Sequence, residues 1–479
     1  MHPPDKPAFD AETAQEPSGG SRSEVAWWIW ALAGALFFTY TVLSLRIHER
    51  MLSNSFDLGI FEQAIRSYAD GHLPVSEVKG PDFPILGDHF SPVLVLVAPL
   101  YALWSSPKVL LVTQALLIAA SVMPLALWAR RSLGSLAAVV IGICYGLSWG
   151  IASAVGFDFH EVAFAVPLLA FSLTALANNR FRAAACWALP LLLVKEDLGL
   201  TVIAIGVIIA LRGDRRLGII TAASGVAGAL LAMLVVLPAF SPTGSYAYTF
   251  WLDSPGGGGG LGDLLHKSTI GLITPQTKVT TLLLVLAPTL FLAMRSPLMW
   301  IALPTLLWRF ASSNASHWGT SYHYSLVLMP IVFAAFIDAL VRRRSSRSSL
   351  RRCLAGCAAI TFLLLPQSPF WQLVQPATWR TDPRIAVAHK LMDRIPDGAT
   401  VQASNKLVPQ LTGRTSVSLH GWPTSRPRPE WIMVDGTVPQ HERWPLNPLQ
   451  ERMALDEARS HGYSLVANED GYVLLQRRS

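Results

Sequence analysis

The stretch VAWWIWALAGALFFTYTVLSL, residues 25–45, runs 21 positions without a charged side chain. An α-helix rises about 1.5 Å per residue, so roughly 20 apolar residues cross the hydrocarbon of a bilayer. Residues 109–128 and 217–238 are stretches of the same kind. Over the whole chain 52% of residues are hydrophobic and 14% charged, and the mean hydropathy is +0.40. A soluble chain carries about a quarter charged residues. One water-soluble core of this composition would lack the polar surface needed to stay dissolved. The chain therefore reads as an all-α polytopic membrane protein.

Loop charges orient the helices. Spans are expected near 25–45, 107–129, 135–153, 162–178, 183–194, 198–211, 217–238, 279–294, 297–310, 323–341 and 353–366, about eleven in all. Every even-numbered span ends in arginine: Arg130 and Arg131, Arg180 and Arg182, Arg212 with Arg215 and Arg216, Arg295, then Arg342 to Arg344. Cytoplasmic loops collect such residues. The pattern predicts a multi-pass membrane protein with its N-terminus inside and its C-terminus outside. The net charge of +7 sits in these short clusters, without an aromatic-interleaved patch, so the bilayer and not nucleic acid is the expected partner.

Three regions follow. Residues 1–24 read as a disordered cytoplasmic tail ahead of an uncleaved first span. Residues 25–366 form the transmembrane domain. Within it, 46–106 make a first outer loop, and 89–104 form a juxtamembrane helix too short for an easy crossing. Residues 367–479 are mixed in character and predict a small extracytoplasmic α/β domain. Its strands fall near 400–404, 431–434, 463–466 and 472–475, its helices near 382–394 and 447–460. Cys144, Cys186, Cys353 and Cys357 lie inside expected spans with no redox or metal spacing.

The outer loops gather acidic residues, histidines and a lysine. Asp57 and Glu62 lie in SFDLGIFEQ (55–63), His89 precedes FSP, Asp158, His160 and Glu161 lie in FDFHE (157–161), and Lys195-Glu196-Asp197 form the tip between two short helices. Charged side chains beside lipid-facing helices are costly unless they face a cavity with partners. Together they offer a general base, substrate contacts at His89, Asp158, Glu161, Lys195 and Asp197, and metal ligands for a divalent cation (Mg or Mn) at His160 and Glu196. Arg309, at the outer end of a span where arginine is unexpected, adds a phosphate partner. Simpler roles compete. Asp158 and Glu161 would suit a helix N-terminus, Lys195 and Glu196 a solvated loop, His89 a cap. His317, Tyr322 and His323 would suit the membrane interface, and Arg309 would snorkel. The pentaglycine 256–260 lacks the strand, helix and Lys-Ser/Thr of a phosphate loop and reads as a hinge.

FDLGIFEQ (56–63), GDHFSP (87–92), FDFHE (157–161) and VKED (194–197) resemble, in order, the blocks of a bacterial membrane family of unknown function. ASNKLVP (403–409) and the segment 471–477 are similar to its outer domain. That family is in turn similar to the GT-C superfamily of polyprenyl-phosphate-sugar glycosyltransferases. The resemblance implies a GT-C-like fold, a lipid-linked sugar donor and an acidic catalytic residue in the first outer loop, a role that falls on Asp57. His89-Phe90-Ser91-Pro92 stands where mannosyltransferase-like members start a juxtamembrane helix. The adjacent acidic pair of those enzymes is missing, since Leu58 follows Asp57. Inverting sugar transfer at the outer face is the leading expectation. A transporter or flippase, and a non-catalytic cell-envelope assembly protein, are the alternatives.

Overall fold

A computed structural model describes residues 27–245, 269–343 and 346–478. The tail 1–24 and the pentaglycine 256–260 lie outside them. The chain is mostly helical and closes with one small sheet.

Among the described residues four helices are long and apolar enough to cross a membrane: Trp27–Glu49, Lys108–Leu133, Arg215–Phe240 and Arg347–Gln367. Ser135–Gly146 and Trp149–Val155, bent by 44° at the Leu147-Ser148 break, make a fifth span if taken as one. The other expected spans are shorter or broken. Glu161–Ala177, Phe181–Leu193 and Leu198–Arg212 are apolar helices of 10–17 residues. The span expected over 279–294 stops early, because Pro288 is followed by Leu290 and Phe291 in the left-handed region (φ 53° and 59°), which reverses the chain. Past Pro297 the chain runs as a 3-10 turn before Leu303–Ala311. Proline removes a backbone donor and breaks the regular ladder there. Hydropathy sees the apolar run and not the break.

The arginine-tipped ends meet at one end of the bundle. Arg212 donates to the Leu176 carbonyl (3.1 Å), and Asp338 accepts from both Ser296 (2.6 Å) and Arg342 (2.7 Å). At the opposite end, the short helices Phe181–Leu193 and Leu198–Arg212 present the Lys195–Asp197 tip. Glycines hold Leu198–Arg212 against Arg215–Leu231. A Cβ on Gly206 would stand 2.5 Å from the Ala222 nitrogen, and one on Gly218 2.4 Å from the Ala210 nitrogen. Such close backbone approach is how small residues pack helices in a membrane.

The C-terminal sheet covers this second end. Its strands are β1 (Thr400–Ala403), β2 (Ser416–Leu419), β3 (Trp431–Asp435), β4 (Tyr463–Glu469) and β5 (Tyr472–Arg477), in the order β2-β1-β3-β5-β4. The β1–β2 and β1–β3 pairs are parallel, and β5 is antiparallel to both neighbours. Helix Pro383–Met392 is capped by Asp382. Helix Pro448–Ser460 is capped by Asn447 in a box with Gln450. The sheet does not stand apart from the first loop. Met51, Ile60, Ala64, Val78 and Ile85 share one apolar core with Val401, Val408, Val417 and Met433. Glu77 forks onto Arg426 through two 2.8 Å bonds, and Gln63 donates to the Val417 carbonyl (2.9 Å). The juxtamembrane segment folds as a 3-10 turn, Pro92–Val97, and a helix, Ala98–Leu103, with Leu96, Leu100, Leu103 and Trp104 exposed.

Candidate active site

Where the sheet domain meets the bundle, Asn54 is extended (φ −111°, ψ 151°), and Ser55–Gly59 then forms a wide π-type turn that carries Asp57. The ASNKLVP segment grips this loop. Asn405 Oδ1 accepts from the Ser55 amide (2.9 Å) and hydroxyl (2.6 Å), while Lys406 donates to the Leu52 carbonyl (2.8 Å) and Asn54 Oδ1 (2.9 Å). Asn54 in turn donates to Asp158 Oδ2 from its amide (2.8 Å) and side chain (3.1 Å). Phe56 is wedged edge-on between Trp422 and Trp444, each 4.7 Å away between ring centres. The Asp57 loop is therefore fixed from both sides.

Asp57 Oδ1 lies 2.9 Å from His160 Nε2. The other ring nitrogen, Nδ1, lies 3.1 Å from the Asp158 carbonyl, which can only accept, so Nδ1 carries a proton. Gln114 locks the turn, donating to the same carbonyl (3.1 Å) and accepting from the His160 amide (3.0 Å). Burial alone would lower the His160 pKa, but the Asp57 carboxylate outweighs it and holds the imidazole above its ordinary value. The hydrogen bond orients the imidazole toward Asp57. The His323 ring stacks on His160 at 3.5 Å. Burial, with the His160 charge added, keeps His323 well below its ordinary value, hence neutral.

These residues open on a cavity of about 270 Å³, lined by Asp57, His89, His160, Glu161, Lys195, Glu196 and Asp197 and by Trp308, His317, His323 and Tyr324. Lys195 donates to Glu161 Oε1 at 2.8 Å. Asp197 is pushed up to about 7, chiefly by burial, with Lys195 opposing and Glu196 adding. His89 bonds Asp88 (2.6 Å), which also pairs with Lys79 (3.0 Å). Burial would raise the Asp88 carboxyl, yet His89 and Lys79 hold it well below the usual range. Met233 enters from a π-bulge, Ala232–Val236, in the helix Arg215–Phe240.

Of the residues expected from sequence, Asp57, His89, His160, Glu161, Lys195, Glu196 and Asp197 come together on this cavity. Asp158 lies behind it as the anchor of Asn54, and neither it nor Glu161 caps a helix. Arg309 is elsewhere. Its fully buried guanidinium donates to the His317 carbonyl (2.8 Å), the Gly319 carbonyl (3.0 Å) and Ser325 Oγ (3.1 Å), tying the 312–325 loop to its helix. It neither snorkels nor lines the cavity. Arg309→Met, which leaves those acceptors buried, should cost about 2–3 kcal/mol, read as a lower unfolding temperature in detergent. Glu62 is likewise structural, buried against the Tyr101 hydroxyl. His317, His323, Tyr324 and Trp308 are cavity residues that the sequence reading assigned to the interface or passed over. Two histidines within seven positions, His317 and His323, were the available signal.

His160 and Glu196, where a divalent cation is expected, both line the cavity. Among the described residues no three His, Cys, Asp or Glu side chains are grouped to hold a metal ion, and His160 Nε2 is already on Asp57.

Fold and cavity together define a multi-pass, mostly helical membrane protein whose charged pocket lies beneath a C-terminal sheet domain. The chain belongs to the predicted membrane protein family DUF2079, whose model matches residues 47–474. None of the curated proteins matches it. ArnT from Cupriavidus metallidurans bound to undecaprenyl phosphate has a similar fold, with a TM-score of 0.52 at 12% identity over 94% of this chain and 98% of ArnT. The apo state of that ArnT gives 0.49 at 13% identity over 94% and 97%.

Proposed function

We propose that the protein transfers a sugar from a polyprenyl-phosphate-linked donor to an acceptor hydroxyl at the outer face of the bacterial plasma membrane. The observation that carries this is the Asp57–His160 pair facing Lys195 across one cavity. Asp57 takes the proton of the acceptor hydroxyl as its oxygen attacks the sugar C1. The C1–O bond to the phosphate breaks, its electron pair leaves with the phosphate, and the configuration at C1 inverts. His160 orients Asp57, and Lys195 meets the charge that grows on the phosphate. No step needs a cation. An outward-facing cavity is supported by the arginines gathered at the opposite end of the bundle, since cytoplasmic ends collect such residues.

A lipid-linked donor is supported by what lies below the cavity. Leu200 and Trp308 line it, and Ala204, Val207, Leu211, Leu303 and Leu307 continue along the same two elements as an apolar groove. An ArnT of similar fold was crystallised with undecaprenyl phosphate, a ligand of the same kind. That groove reaches Arg212 and Arg342 at the far end, an arrangement that also favours movement of a lipid phosphate across the bilayer. Vesicles given a radiolabelled polyprenyl-phosphate sugar separate the two. Label moving to an acceptor supports transfer, label crossing the bilayer unchanged supports a flippase, and neither removes both.

Acid should slow the reaction through Asp158. Burial, and then the Asp57 carboxylate, push its pKa from 3.8 to about 6 against the Asn54 bonds. Protonation below about pH 6 weakens Asp158 as acceptor for the two Asn54 donors that set the Asp57 loop. Transfer should decline there, and Asp158→Asn should lower the rate at pH 7 while removing that part of the acid limb. Stability runs the other way. The folded protein binds this proton more tightly than the unfolded chain, so Asp158 favours folding below about 4 and loses that contribution as pH rises through 6.

A further inference from the structure

A second site lies in the sheet domain, against the outer side of the Asp57 loop. A narrow slot is lined by Lys406, His420, Asp435, Glu442, Arg443 and Trp444, and its enclosed depth is about 20 Å³. That is space for a single hydroxyl or water. His420 lines it and is 6% exposed. His420 Nδ1 is 2.9 Å from Gln402 Oε1, an atom that only accepts, so Nδ1 carries the proton and Nε2 is an acceptor. Burial holds the imidazole down at about 4, so it stays neutral. Nε2 is buried without a hydrogen-bond partner in the protein, and a buried acceptor left unpaired is unfavourable. The slot therefore asks for an O–H or N–H donor.

The mouth narrows the choice. Trp444 is 41% exposed, with its ring steadied by Phe56 (4.7 Å) and Trp422 (5.2 Å). A rigid, half-exposed indole offers an apolar platform with polar groups close by, as in sites for ligands of mixed character. Lys406 and Arg443 stand against Asp435, Glu442 and Glu451, two cations to three carboxylates. Most of these charges are engaged: Arg443 with Glu451 (2.9 Å) and the Val438 carbonyl (2.7 Å), and Asp435 Oδ1 with Thr437 (2.7 Å) and Arg384 (2.8 Å). Such a rim selects neither a strong anion nor a strong cation. It suits a neutral polyol with one flat apolar face.

We infer that this slot binds a neutral pyranose unit, stacked on Trp444 with one ring hydroxyl donated to His420 Nε2, and that the unit belongs to the acceptor glycan. The assignment to the acceptor rests on the transferase proposal; the sugar site itself does not. The link to catalysis is short. Trp444 packs on Phe56, next to Asp57, and Lys406 both lines the slot and holds Asn54.

The test uses the full-length protein in nanodiscs and saturation-transfer NMR with the methyl pyranosides of glucose, mannose, galactose and N-acetylglucosamine. At least one should give a signal in wild type and in Asp57→Asn. Its affinity should fall at least tenfold in His420→Phe, which keeps the ring and removes the acceptor, and in Trp444→Ala. Trp444→Phe preserves the packing on Phe56 and should fall less, guarding against a folding artefact. The absence of a signal from all four sugars, or a signal indifferent to His420→Phe and Trp444→Ala alike, overturns the site. Sugar binding without any transfer from a lipid-linked donor leaves the site standing and removes the transferase. Transfer unaffected by both His420→Phe and Trp444→Ala, where these abolish sugar binding, overturns the assignment to the acceptor and leaves the transferase standing.

Discussion

Asp57→Asn should lower sugar transfer by about 10²–10⁴-fold, the usual worth of a positioned general base, while the protein remains folded and binds the donor as before. The side chain keeps its size, and the amide still reaches His160, but it has no basic oxygen for the acceptor hydroxyl. Little structural cost is expected, because the loop is held by Asn405, Lys406 and Asp158 and not by Asp57 itself. Product formation from a radiolabelled donor, with the unfolding temperature measured on the same preparation, checks both parts. Undiminished turnover would remove Asp57 from the role. His160→Ala should also fall, but less, since it orients the carboxylate without accepting the proton.

The second large effect is expected at Lys195. In Lys195→Met the leaving phosphate loses its cation, a loss of about 10²–10³-fold in turnover if Lys195 acts as other preorganised electrostatic partners do. Glu161 is at the same time left buried without its 2.8 Å partner, and breaking a buried pair costs about 3–5 kcal/mol. The double variant Lys195→Met/Glu161→Gln removes the unpaired charge. It should recover most of the unfolding temperature and none of the turnover. Recovery of both would make the lysine a structural partner of Glu161 and nothing more.

Much of this was legible in the residues. Uncharged runs marked the long helices, arginines marked one end of the bundle, and the blocks around Asp57, His160 and Lys195 pointed to a shared depth. Four of the five strands were visible as short β-rich pieces. β2 was not: SVSL (416–419) is short and half polar, and its place is set by pairing with β1 and by the Gln63 contact with the Val417 carbonyl. Broken spans at Pro288 and Pro297 were hidden for a different reason, since an average over apolar residues does not register a change of backbone direction. Arg309 misled because composition cannot tell a guanidinium facing a phosphate from one facing three protein oxygens. The grip of Asn405 and Lys406 on Asn54 joins positions some 350 apart in the chain. No local pattern could have announced it.

The most direct measurement is photocrosslinking with a polyprenyl-phosphate sugar analogue that carries a diazirine on the sugar ring. If the cavity is where sugar leaves phosphate, labelled peptides should come from 157–161, 195–200 and 312–324, and unlabelled donor should compete. Label confined to the arginine end of the bundle, around Arg212 and Arg342, would contradict this and would make the groove, not the cavity, the place where the lipid phosphate is bound.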